Sequence, residues 1–430
     1  MPSQPQPRPT LDPVAEEYVG LAFAIERHVV GYVDGYLGPP AVRERALAEP
    51  MVEPAALLAR ARTLAVRVAE AGAGDDSDTD FPETRVGYLA AQVQGMIATC
   101  RMLAGEELSY EDEVRLCFDV EPEPTPEETF EAAIAELAEL LPGDGPVAER
   151  MVAWRRGFEV PAETGQRLID LIVPEIRERS AGLAELPAGE AVAFELVRDQ
   201  PWTAYNWYLG DARSRVEFNV DVPIHANELT GLLCHEAYPG HHTEHALKER
   251  RLYGDRGYGE HAILLINTPE CVISEGIATL AESVIFPDDE LHRFHAEVVY
   301  PAAGIDGDPE REARIDRARR ALGGVSANAA LRFHAEGRGA DDAVAYLRRY
   351  GLKSEEQARH GLRFIADPLW RAYTFTYHVG RDLLGRWLDG GDRAARFRTL
   401  LTEQVYPSQV ETWIAADGAA GGGVVPAAGD

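Results

Sequence analysis

The chain has 430 residues, 45% of them hydrophobic, which suits one large helical enzyme of two lobes with a sizeable core. Its net charge of −30 argues against nucleic acid, which needs clustered Lys and Arg, and against an anionic membrane surface. Only Lys248 and Lys353 are lysines among 42 basic residues, a bias that reads as genome composition and carries no functional weight.

The opening MPSQPQPRPT is proline-rich without an apolar core, so it is no signal peptide, and residues 1–10 are expected to be a disordered tail. No run approaches the roughly 18 apolar residues of a membrane span, so the expected place is the cytoplasm. From Asp12, a cap followed by Pro13, the residues Val14, Tyr18, Leu21, Ile25 and Val29 share one helical face, and Gly38-Pro39-Pro40 closes the segment. Several helices are predicted between 53 and 185. One starts at the capping box Thr125-Pro126-Glu127-Glu128, with the stripe Phe130, Ile134, Leu137 and Leu141. Near residue 191 the period changes to two: Val192, Phe194 and Leu196 alternate, as do Val216, Phe218 and Val220, around the aromatic stretch 202–209 and a turn at Gly210-Asp211. A small antiparallel sheet is predicted there, directly before a helix from about Asn227. Helices continue to about Ala415, and residues 418–430 are expected to be disordered. The predicted class is therefore mainly α, with a helical N-terminal part over 11–190 and a catalytic part over 191–417 packed as one compact unit.

The chemistry concentrates in His235-Glu236-Ala237-Tyr238-Pro239-Gly240-His241-His242. Twelve histidines spread evenly would put about 0.3 in an eleven-residue window, yet 235–245 holds His235, His241, His242 and His245. Imidazole and carboxylate are preferred zinc ligands, and four cysteines without a C-x-x-C pair argue against a thiolate site or a disulfide framework. Cys234, beside His235, reads as a small buried hydrophobe. In the helical H-E-x-x-H motif two histidines sit one turn apart. Here the fourth position after His235 is Pro239, which binds nothing and lacks the amide proton of a helix interior. The backbone must loop out after Tyr238. A two-residue bulge brings His241 to the second ligand place, the favoured reading, while His242 is the alternative or a supporting donor behind the ligands. Glu275, in Ser274-Glu275-Gly276 on a following helix, fits the third place, and Glu282, two turns on, suits support of a histidine ring proton.

H-E-A-Y-P-G-H-H followed by S-E-G-I-A-T-L-A-E resembles the bacterial "domain of unknown function 885" family, whose pattern is H-E-x-x-P-G-H and then E-G-x-A-x-x-x-E. Phe218-Asn219-Val220 and Tyr377-His378-Val379-Gly380 resemble its upstream strand and its Y-x-x-G segment, so matches run from about 215 to 385. Ile277 departs from it, since many members carry Trp after E-G. That family resembles zinc peptidases, which implies a zincin-like, gluzincin-type fold with one Zn²⁺ held by His235, His241 and Glu275. Glu236 is then the general base and Tyr377 the oxyanion donor, with Tyr373 as another candidate. Asn219 is expected near a substrate backbone laid along the sheet edge, and Arg381 near a substrate carboxylate. The expected function is zinc-dependent hydrolysis of peptide bonds in short peptides. The alternatives are a small-molecule amidase of specialised metabolism and a non-catalytic metal-binding helical protein.

Overall fold

The computed structural model describes residues 9–73, 81–200, 202–287 and 289–421. Asp12 caps the first helix, Pro13–Glu26, its carboxylate accepting the amides of Val14 and Ala15 at 3.0 Å. Tyr18, Leu21 and Ile25 are buried along it, but it stops at Glu26, ahead of Val29, and the chain then forms β1 (Val33–Tyr36). Helices Pro54–Ala71, Glu83–Leu103, Tyr110–Phe118, Glu127–Leu140, Val147–Arg156 and Ala162–Leu183 fill the predicted helical stretch. The capping box at Thr125 does not form. Pro126 takes the cap position without a side-chain bond, because the Thr125 hydroxyl meets His378 Nε2 at 3.1 Å and its amide donates to Asn328 Oδ1.

Among the described residues the remaining strands are β2 (Glu159–Val160), β3 (Ala191–Val197), β4 (Ala204–Gly210), β5 (Arg213–Asn219), β6 (Ile224–His225) and β7 (Ile263–Leu265). β1 pairs with β7 and β2 with β6, both antiparallel. The third sheet has the order β3-β5-β4. Its β4–β5 hairpin is antiparallel, turning through Asp211 and Ala212 at φ 53°, the left-handed conformation that tight hairpins need. β3, by contrast, runs parallel to β5, so this sheet is mixed rather than wholly antiparallel. The chain leaves β3, passes beyond the end of β5 and returns as β4 on the far side, which makes β4 an edge. The expected disordered C-terminal tail is also shorter than predicted: the last helix, Pro407–Gly421, continues through residues 418–421. The expectations for residues 1–8 and 422–430 lie outside the described residues.

The functional region rests on four helices: Ala226–Glu236, His241–Lys248, Pro269–Ile285 and Thr374–Asp389. One core runs from Leu137 to Val410, so the 137–184 helices share it with these four. The Pro269–Ile285 and Thr374–Asp389 helices pack more extensively on each other than any other helix pair among the described residues. Two glycines permit this. A β-carbon on Gly276 would sit 2.7 Å from the Gly380 carbonyl oxygen, and one on Gly380 would collide with the carbonyl of Val272. Backbone therefore lies on backbone at the crossing, with no room for a methyl group. Among the described residues no helix is long and apolar enough to cross a membrane.

Gly380→Ala is accordingly expected to cost about 1–3 kcal/mol by overpacking this crossing. Gly385→Ala on the same helix, where a β-carbon meets nothing within 4 Å, should leave stability unchanged or raise it by up to ~1 kcal/mol. Equal melting temperatures for the two variants would refute the close-crossing account.

Candidate metal centre and cleft

The helix carrying His235 ends at Glu236, and a new helix begins at His241. Between them the chain folds back through Ala237, a cis Tyr238–Pro239 bond and Gly240. The Gly240 amide donates to Cys234 O at 2.9 Å, and a β-carbon there would collide with the carbonyl oxygens of Cys234 and His235. The interruption that Pro239 forces is thus a helix break folded tightly onto the last turn, not a bulge inside one helix. It sets the His235 and His241 rings edge to face, their centroids 4.8 Å apart.

Glu275 completes the group. Its Oε2 lies 3.5 Å from His235 Nε2 and 4.0 Å from His241 Nε2. Tyr373 donates to its Oε1 at 2.8 Å, whereas Oε2 is buried with no hydrogen-bond partner among the described residues. Burial lowers the pKa of His235 to about 4 and holds that of His241 well below the usual imidazole range, so both rings are neutral at pH 7. Burial raises Glu275 to about 8, and burial together with the charge of Glu275 raises Glu236 to about 8. Two neutral imidazoles facing an unpartnered buried carboxylate oxygen make a site short of one cation. The donor set, two His and one Glu, fits zinc with one position left for water.

Behind His241 lies a relay that sequence reading missed. His241 Nδ1 meets Ser274 Oγ at 3.1 Å, and Ser274 donates to Glu244 Oε2 at 2.6 Å. With that hydroxyl proton committed to Glu244, the ring proton of His241 sits on Nδ1, which leaves the Nε2 lone pair facing Glu275. Lys248 then bridges Glu244, at 2.7 Å, and Glu270, at 3.2 Å, and Tyr88 donates to Glu270 Oε2 at 2.7 Å. Burial alone would lower the Lys248 pKa, but Glu244 and Glu270 outweigh it and hold it raised. The available signal was Lys248 itself, one of two lysines in an arginine-rich chain.

His242, one residue on, is fully buried and turned the other way. Its Nδ1 meets Ser214 Oγ of β5 at 2.9 Å and its Nε2 meets Glu190 at 3.1 Å, while Tyr238 also donates to Glu190. It pins helix to sheet and is not in the metal group. His245 stacks on His241 with 5.9 Å between centroids and lines the cleft. Glu282 faces Gly231 of the His235 helix, and no hydrogen bond among the described residues joins it to either ligand ring. Burial and Asp316 raise its carboxyl to about 7.

The group opens into a cavity of about 470 Å³, lined among others by Ala204, Tyr205 and Asn206 of β4 and by Tyr373 and Tyr377. Tyr377, 41% exposed, stands edge-on to Tyr373 with centroids 5.8 Å apart. Asn206, also missed in the sequence, donates its side-chain amide to the Glu236 carbonyl and so ties the end of the His235 helix to β4. Two expected substrate contacts lie elsewhere. Asn219 donates to Gln200 O at 2.9 Å and accepts the Asp221 amide at 3.0 Å, which fastens the crossover between β3 and β4, and it does not line this cavity. Arg381 donates to the carbonyl of Arg320 at 3.2 Å, outside the cavity.

His292, His295 and Glu312 also offer ligand atoms within 4.8 Å of one another. Two of its members are bonded elsewhere: Thr230 contacts His295 Nε2 at 3.0 Å, and the Tyr300 hydroxyl donates to Glu312 and lies 3.5 Å from His295 Nδ1, while His292 Nδ1 is buried without a partner among the described residues. It reads as a polar clamp.

No family model matches the sequence, and neither does any curated protein. Among solved structures, one from Colwellia psychrerythraea, described as a lipoprotein, matches with a TM-score of 0.50 at 16% identity, covering 84% of this chain and 70% of that one. Another from Shewanella oneidensis, described as a lipoprotein of unknown function, gives a TM-score of 0.45 at 13% identity over 94% and 82% of the two chains. The first likeness is one of fold alone.

The relay generates a pH prediction. Despite burial, Lys248 and His261 hold the Glu270 carboxyl at about 2, below its ordinary 4.5. A depressed folded-state pKa stabilises the fold above about 4.5, and that contribution fades as pH falls towards 2. The stability advantage of wild type over Glu270→Gln, measured by denaturant unfolding, should therefore be about 3 kcal/mol at neutral pH and shrink between pH 4.5 and 2. A pH-independent difference would contradict the ion-pair account.

Proposed function

We propose that this chain is a zinc-dependent hydrolase of peptide (amide) bonds, gluzincin-like in arrangement and acting on short peptides in the cytoplasm. The observation that carries the reading is the buried, unpartnered Oε2 of Glu275 facing two neutral imidazoles, with Glu236 one residue from His235. The resemblance to the "domain of unknown function 885" family points the same way. His235, His241 and Glu275 would hold the ion. When bound, zinc supplies Lewis acidity, polarising a carbonyl and lowering the pKa of a water towards ~7.

The rest of the chemistry belongs to the chain. Glu236 is buried, has no ligand duty, and lines the cavity, the position of a general base that takes a proton from water and returns it to the leaving amine nitrogen. Asn206 holds the backbone of Glu236 in place. Tyr373 orients Glu275, and Tyr377, which also reaches that carboxylate from the cavity wall, is the hydroxyl donor for the developing oxyanion. The edge of β4, whose residues 204–206 line the cavity, offers main-chain groups to an extended peptide.

Elemental analysis and peptide-library cleavage test this together. Wild type and Glu236→Gln should each carry about one zinc per chain, with Glu236→Gln losing cleavage by on the order of 10²-fold or more. His241→Ala should lose the metal and His242→Ala should keep it. A wild-type protein that cannot be loaded with zinc, or an undiminished Glu236→Gln, sinks the proposal.

A further inference from the structure

The cleft carries more carboxyl groups than the proposed hydrolysis uses. Asp34, Glu236, Glu270 and Glu275 line it beside aromatic rings, and among the described residues no lysine or arginine does. Three of these carboxylates have duties: Glu270 is paired with Lys248, Glu275 faces the two imidazoles, and Glu236 is the base. Asp34 has none of these.

Its placement is nonetheless specific. β1 pairs with β7 through Val33 and then Gly35, so Asp34 is the extra residue of a β-bulge. Bulges re-aim a side chain and gather near active sites. Tyr205, from the edge strand β4, donates its hydroxyl to Asp34 Oδ1, which joins two separate sheets at the cavity wall.

We propose that Asp34 forms a subsite for a primary ammonium group of the substrate, either the α-ammonium of a peptide or the ammonium of a lysine side chain. An ammonium brings three donors and one positive charge, which matches a carboxylate. Trp202 and Tyr205, 5.2 Å apart between centroids, add aromatic rings of the kind that attract cations. With the α-ammonium held there, the cleft would take peptides by their amino ends. This extension rests on the hydrolase reading for the bond cleaved, but the binding does not.

The test is calorimetric binding to the full zinc-loaded chain, with L-phenylalaninamide, N-acetyl-L-phenylalaninamide and Nα-acetyl-L-lysinamide as probes. Wild type is expected to bind L-phenylalaninamide on the order of 10-fold tighter than its acetylated form. Asp34→Asn, or Asp34→Ser if the first misfolds, should abolish that preference while zinc content and melting temperature stay as in wild type. Tight binding of Nα-acetyl-L-lysinamide supports the subsite and assigns it to a side-chain ammonium; weak binding beside tight L-phenylalaninamide assigns it to an amino terminus. Equal affinity of wild type for free and acetylated phenylalaninamide together with weak binding of Nα-acetyl-L-lysinamide, or an ammonium preference that survives both Asp34 variants, overturns the proposal. An intact preference without hydrolysis of any amide counts against the hydrolase reading alone.

Discussion

Around one cleft this fold buries Glu236, Glu244 and Glu275 and half-buries Glu270, and the cost of burying unpaired carboxylates governs how the surrounding helices are arranged. Glu244 and Glu270 share the ammonium of Lys248, which sits one helical turn after Glu244. Glu275 has the Tyr373 hydroxyl on one oxygen and neutral imidazoles opposite the other. Glu236 shifts upward instead of finding a partner. The compensation is therefore complete behind the histidines and incomplete in front of them, and the incomplete side is the one that opens to the cavity.

Holding a carboxylate in that position requires rigid neighbours. The glycine-on-glycine crossing of Gly276 and Gly380 brings two backbones together directly beside Glu275 and one turn from Tyr377. Gly240 does the same for the histidines, since only a residue without a side chain lets the chain fold against the carbonyls of Cys234 and His235. Each of these glycines is next to, or within three residues of, a side chain that faces the cleft. Small residues at the contacts are what allow large polar ones to be placed with little freedom, a condition for pre-organised chemistry.

The site was legible in the sequence to the extent that its information is local. The histidine cluster, the proline that breaks the helix and the Glu-Gly pair lie within two short segments, and the structure brings His235, His241 and Glu275 together. The helical stretches were equally readable, because a buried stripe repeats with the helix period. What failed depended on partners distant in sequence. Thr125 has the pattern of a helix cap, yet His378 and Asn328, more than 200 residues away, take its polar groups. Asn219 looks poised for substrate, yet a crossover that places β3 parallel to β5 needs its amide. Asp34 and Asn206 carry no motif, and only the meeting of β1 with β4 gives them a common wall.

The adjacent pair His241 and His242 shows how one short helix serves two demands. Consecutive residues on a helix point about 100° apart, so they cannot share a ligand. His241 faces Ser274 and Glu275 on one side, and His242 faces Ser214 and Glu190 on the other. If both rings were exposed, the helix could rotate and exchange them. His242 is fully buried between a hydroxyl and a carboxylate, so rotation would break two hydrogen bonds and leave Glu190 without two of its donors, since Tyr238 precedes the same helix. The histidine that binds nothing in the cleft is thus what fixes the direction of the one that lines it.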